Sequence, residues 1–99
     1  MNTNNLLSHR NKEPERGVLY IVGTPIGNLE DISLRALNIL KNVSLIACED
    51  TRITGKLLKN ISVSNKLISF HKYSSRDKLD FLISKLKTGD SIALVSDAG

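Results

Sequence analysis

The sequence predicts an α/β domain built on a mostly parallel sheet with helices on both faces. Strand-like apolar runs alternate with stretches whose apolar residues recur at helical spacing, and no segment repeats. That order implies parallel strands joined by right-handed crossovers. Length and composition agree. At 99 residues, 40% apolar and 24% charged, the chain has the profile of one small globular domain with a modest core.

The elements follow in order. Val18-Leu19-Tyr20-Ile21-Val22 is a continuous apolar run, the pattern of a strand buried on both faces. "DISLRALNILKN" places Ile32, Ala36, Leu37 and Leu40 on one helical stripe, with Asp31 or Ser33 available as N-cap. "VSLIACE" is a second strand. "DTRITGKLLKNI" is a weaker helix: Ile53, Leu57 and Ile61 are spaced by four, and Gly55 counts against it. "KLISF" is a third strand. In "SSRDKLDFLISKLKTG" the residues Leu79, Leu82, Ile83 and Leu86 form the clearest helical stripe, with Gly89 as its stop. "DSIALVSDAG" gives a fourth strand and a small-residue turn. In such sheets ligands bind beyond the carboxyl ends of the strands. "GTPIGNLED", "CEDTR", "HKYSSRD" and "SDAG" each follow a strand, so they are expected to share one rim.

Several classes are disfavoured at once. No window approaches the roughly 18 consecutive apolar residues of a membrane span. Residues 1–16, "MNTNNLLSHRNKEPER", lack an apolar core and carry Glu13 and Glu15, unlike a signal or transit peptide; they read as a mobile polar arm, with His9 solvated. One Cys forms no internal disulfide, which suits a reducing cytoplasm. Two distant His and that Cys make no metal pattern, so no metal site is expected. Charge is unevenly spread. Residues 23–50 hold two basic against four acidic side chains, a balance of −2, whereas residues 52–89 hold nine against two, a balance of +7. Such a belt suits a polyanion such as RNA, although a lysine-rich solvated surface accounts for the same charge.

The loop "VGTPIGNL" is the most distinctive motif. It is not a P-loop, which needs four residues between its glycines and then Lys and Ser or Thr. Nor is it the dinucleotide fingerprint, because Thr24 and Pro25 follow Gly23. Gly23 and Gly27 allow positive φ and a bare backbone. Pro25 stiffens the turn and removes a donor, so the loop suits a neutral or cationic ligand better than a phosphate. A tight connection with no ligand satisfies the spacing equally well.

"LYIVGTPIGNLEDISLRAL", with "ACEDTR", "SFH" and "ALVSDAG" after it, resembles the ribosomal RNA branch of the tetrapyrrole methylase family, the class III S-adenosylmethionine methyltransferases. The resemblance covers residues 17–99. It implies an N-terminal α/β domain of a two-domain fold, incomplete here, because "SDAG" in that branch continues into Thr-Pro and a second Ser-Asp-Pro-Gly. The chain therefore reads as the front of a longer protein whose second domain is absent. The resemblance implies S-adenosyl-L-methionine held between the domains by the loops after the first and fourth strands: here Pro25, Ile26, Gly27, Asn28 and Leu29, and Ser96, Asp97, Ala98 and Gly99. It implies 2′-O-methylation of a cytidine ribose in small-subunit ribosomal RNA by a cytoplasmic homodimer acting on the RNA or the ribosomal subunit, with no membrane partner. The fragment alone is expected to be inactive. Relatives often carry an acidic residue and a second His after the position of His71; this chain reads His71-Lys72-Tyr73.

Methyl transfer to a ribose hydroxyl demands positioning and help with a proton. Glu49, Asp50 and His71 are candidate bases, and Arg52 a candidate phosphate grip. Ordinary roles compete: Glu49 or Asp50 caps the helix beginning near Thr51, and Arg52 pairs with one of them. Cys48 reads as a packed thiol. Phe70 and Tyr73 are too few to argue for a stacking surface. Two rival functions stand beside this one: a non-catalytic RNA-binding module, and a same-fold methylase acting on a small molecule such as a tetrapyrrole.

Overall fold

The computed structural model describes residues 12–24 and 31–96. Four parallel strands, β1 (Leu19–Gly23), β2 (Leu45–Cys48), β3 (Leu67–Ser69) and β4 (Ile92–Ser96), form one sheet in the order β1-β4-β2-β3. The register sets Leu19 beside Ile92, Leu45 beside Ile92, and Ile46 beside Leu67. Three helices connect them: α1 (Leu34–Asn42), α2 (Thr51–Asn60) and α3 (Arg76–Lys87). The α/β expectation, with helices on both faces, holds.

Each helix starts where a short polar side chain satisfies orphan amides. Ser33 accepts from the Ala36 amide, Asp50 from the Arg52 amide and Ser75 from the Lys78 amide. Ser33, rather than Asp31, is thus the cap of α1. At the other end of α1, Asn65 donates through Nδ2 to the carbonyls of Leu40 (3.0 Å) and Val43 (2.9 Å). α3 stops at Gly89, whose φ of +99° few side-chain-bearing residues adopt.

α1 and α2 lie on one face of the sheet, over a core that includes Tyr20, Val22, Leu40, Ile46, Cys48, Leu58 and Val95. α3 covers the other face through Leu82 and Leu86, against Ala47, Ile92 and Leu94. Leu40, Ile46 and Ile92 are fully buried, each contributing about 1.5–3 kcal/mol by transfer from water. Cys48 is packed in the first core, as a thiol of this position should be.

Two expectations need correction. Among the described residues β1 is an edge strand, and it is not buried on both faces: Tyr20 and Val22 face the core, while Leu19 and Ile21 are 45% and 66% exposed. α2 buries Thr54 and Leu58, one position along from the expected Ile53 and Leu57; Ile53 is exposed, while Ile61, the third expected residue, is partly buried against the same core. In α3, Leu82 is buried while Leu79 and Ile83 stay more than a third exposed.

Residues 12–16 carry contacts to the domain. Glu13 receives a two-pronged bond from Arg35 (2.9 and 2.7 Å), and its carbonyl accepts from Asn38. The Glu15 amide donates to the Tyr20 hydroxyl (2.8 Å). Among the described residues no helix is long and apolar enough to cross a membrane.

Candidate functional site at the carboxyl rim

The connections that leave adjacent strands β2 and β3 run to opposite faces: β2 feeds α2, and β3 feeds α3 on the far side. A crevice must open between the two strand ends, the place where open α/β sheets bind ligands. Two cavities occupy it. One, of about 540 Å³, is bounded by Glu49, Phe70, His71, Leu79, Leu94 and Ser96, with the α3 entry at Ser74, Ser75 and Arg76. The other, of about 580 Å³, is lined by Glu49, Asp50, Arg52, Ser69 and His71 among others. Glu49 and His71 border both.

The sequence-derived candidates Glu49, Asp50, Arg52 and His71 therefore come together, and Ser96 joins them from β4. The remaining cofactor candidates, Pro25, Ile26, Gly27, Asn28, Leu29, Asp97, Ala98 and Gly99, lie outside the described residues. Gly23 closes β1 without a positive φ, and a Cβ there would meet nothing within 4 Å, so the backbone at that point does not require glycine.

The three candidate bases differ sharply in how they are held. Asp50 Oδ1 accepts from the Arg52 amide at 2.9 Å. That bond, more than the nearby Arg52 guanidinium (3.5 Å), holds the Asp50 carboxyl below its ordinary range. Asp50 is thus an ionised helix cap, poorly suited to take up a proton. His71 sits in a tight turn. Its amide donates to Ser74 Oγ (2.9 Å), its carbonyl accepts from the Ser74 amide (2.9 Å), and its Nδ1 accepts from the Tyr73 amide (3.1 Å). A neutral imidazole that accepts at Nδ1 carries its proton on Nε2. His71 therefore offers the crevice a donor rather than a base.

Glu49 is different. Its carbonyl accepts from Ser69 Oγ (3.3 Å), which ties its backbone to β3. Its carboxylate has no hydrogen-bond or ion-pair partner among the described residues. Arg52 has a side chain 90% exposed, so its guanidinium is available to an anion at the mouth. Ser69 is not singled out by the sequence, which places Ser74 and Ser75 on the rim segment "HKYSSRD" but assigns them no role of their own. The signal for the last two was the Ser-Ser pair ahead of the α3 stripe, the usual composition of a helix start.

An apolar wall of Phe70, Leu79 and Leu94 with a hydroxyl at Ser96 and a carboxylate at Glu49 suits an organic cation that carries a heterocycle. Among the described residues no three His, Cys, Asp or Glu side chains converge as a metal site.

The chain is 49% identical over 81 residues to "Ribosomal RNA small subunit methyltransferase I" of Mycoplasmopsis pulmonis, covering 82% of this chain and 36% of that protein. The protein of the same name from Escherichia coli O157:H7 is 50% identical over 91 residues, covering 92% and 32%. That of Vibrio cholerae is 55% identical over 82 residues, covering 83% and 28%. The chain thus spans about a third of the length of these curated relatives. Residues 18–99 match the tetrapyrrole (corrin/porphyrin) methylases, and the chain belongs to that family.

Proposed function

We propose that this chain is the cofactor-side part of a cytoplasmic S-adenosyl-L-methionine-dependent methyltransferase that 2′-O-methylates a cytidine ribose in small-subunit ribosomal RNA. The observation that carries the reading is the identity of about half, over more than 80 residues, to relatives that bear a ribosomal RNA methyltransferase name. The family description also covers corrin and porphyrin substrates, which keeps a tetrapyrrole as the rival. The basic belt favours RNA.

When bound, S-adenosyl-L-methionine supplies an electrophilic methyl on a sulfonium, which leaves as a thioether. Ser96 and the apolar wall of the 540 Å³ cavity would hold it on this chain, with residues 25–29 and 97–99 as further proposed contacts. Glu49 would accept the proton that the ribose 2′-hydroxyl gives up on methylation. His71 Nε2–H donates towards the same crevice, and Arg52 grips a backbone phosphate. The exposed Leu19 and Ile21 on one face of β1 are surface of the kind a further layer covers, which supports a second domain; a homodimer is part of the same proposal.

The test is transfer of a tritiated methyl group to small ribosomal subunits by the two-domain protein. Glu49→Gln is expected to lower the rate by about 10²–10⁴, the contribution of a general base. Asp50→Asn and His71→Gln should cost less than about tenfold, because neither holds the proton in this scheme. A Glu49→Gln rate within about threefold of the unaltered enzyme, with folding intact, rejects the base assignment.

A further inference from the structure

We propose that Tyr73, with Lys72 over its ring, is a stacking platform for an unpaired RNA base at the mouth of the crevice. The proposal rests on the RNA reading above and adds a specific contact to it. Two aromatics are few for such a surface, but the structure leaves the Tyr73 ring exposed on a pinned backbone, between Lys72 and Ser74, which both line the cavity. Tyr73 is 81% exposed, so burial of its ring contributes little to the fold.

The backbone under that ring is nevertheless pinned. The Tyr73 amide donates to His71 Nδ1, and the turn is closed on either side by the two His71–Ser74 bonds. His71 meets the ring edge to face, with centroids 6.1 Å apart. Lys72 Nζ lies over one face, 5.1 Å from the centroid. An aromatic fixed in this way presents its surface at low entropic cost, since only two side-chain torsions remain to be ordered.

The surroundings suit a nucleotide. His71, Lys72 and Arg76 line the same cavity as Glu49, and the Arg76 side chain is mostly solvent-exposed. A base stacked on Tyr73 would have its flanking phosphates within a field set by Lys72 and Arg76. This is the combination by which proteins hold single-stranded RNA without reading its sequence. The neighbouring nucleotide would then enter the crevice with its ribose towards Glu49. Tyr73 is in this sense a positioning residue, acting on the placement of substrate rather than on the reacting atoms.

The test uses a single-stranded RNA decamer with a central 2-aminopurine, whose fluorescence falls on stacking. Binding to the unaltered protein should quench the probe. Tyr73→Ala should weaken binding by about 5- to 150-fold and restore the emission, while leaving the salt dependence unchanged. Tyr73→Trp should retain both affinity and quenching. Lys72→Ala should instead lower the slope of log K against log salt by about 0.7. Because the ring is exposed, these variants should melt with the unaltered protein. Equal affinity and quenching in Tyr73→Ala overturns the platform and leaves the RNA reading standing. No binding of the decamer by the unaltered protein overturns both.

Discussion

Thr54 offers a direct check on the packing of α2. Its side chain is 1% exposed, and its hydroxyl has no hydrogen-bond partner among the described residues. A buried hydroxyl left unpaired costs about 1–3 kcal/mol. Thr54→Val keeps the shape, removes the polar atom and changes helix propensity very little. We therefore expect a gain of about 1–2 kcal/mol, at the lower part of that range because replacement atoms never pack perfectly. With a urea m-value near 2 kcal/mol/M, the midpoint should rise by about 0.5–1 M at unchanged m. Thr54→Ser is the control: it keeps the orphan hydroxyl and loses a methyl group, so it should destabilise by about 1 kcal/mol. A Thr54→Val protein less stable than the unaltered one by more than about 0.5 kcal/mol would refute the reasoning. It would mean that the hydroxyl has a partner in solution, such as a buried water.

Two further outcomes follow from backbone and charge. Gly89→Ala should cost about 2 kcal/mol in thermal or urea unfolding, because φ is +99°. A Cβ there would also meet Arg16 Nη2 at 2.6 Å, but that guanidinium can swing away, so adding Arg16→Ala should recover little. For Asp50 the native carboxyl is held below its unfolded value near 3.9 by the Arg52 amide. Its contribution to stability is therefore present above about pH 4 and is lost as pH falls through the native value. Asp50→Asn keeps a good cap but no charge. It should lower the urea midpoint at pH 6, and the difference should narrow steadily as pH falls below about 4 and through the lower native value; a gap that does not narrow contradicts the assignment.

Local chemistry was legible in the sequence wherever a short-range pattern decides the outcome. The four strands, the three helices, the Gly89 stop and the burial of Cys48 all follow from such patterns. What failed depends on neighbours that are distant in the chain. β1 carries the same apolar run as an interior strand, yet β4 pairs with only one of its edges, and nothing in residues 18–22 says so. The α2 stripe is displaced by one position: Ile53 stays exposed while Thr54 and Leu58 are buried, and a polar residue such as Thr54 gives no apolar signal in the sequence. At the site, the gathering of Glu49, Asp50, Arg52 and His71 followed from strand order alone. The engagement of His71 Nδ1 by the Tyr73 amide is a property of the folded turn.

The separate fates of Glu49 and Asp50 show how a motif acquires its chemistry. Successive side chains of a strand point to opposite faces. In β2, Ala47 belongs to the α3-side core and Cys48 to the other. Continuing that alternation by one residue sends Glu49 to the α3 side, where it lines the cavity with Phe70, Leu94 and Ser96. Asp50 falls where the strand gives way to α2, at φ −124° and ψ 110°, and its carboxylate turns back onto the first amides of the helix. One acidic residue is consumed in starting a helix, and the other is left facing the crevice. A shift of one residue in the end of β2 would exchange these roles. The capacity to accept a proton thus belongs to the position at the strand end and not to the acidic pair as a sequence motif.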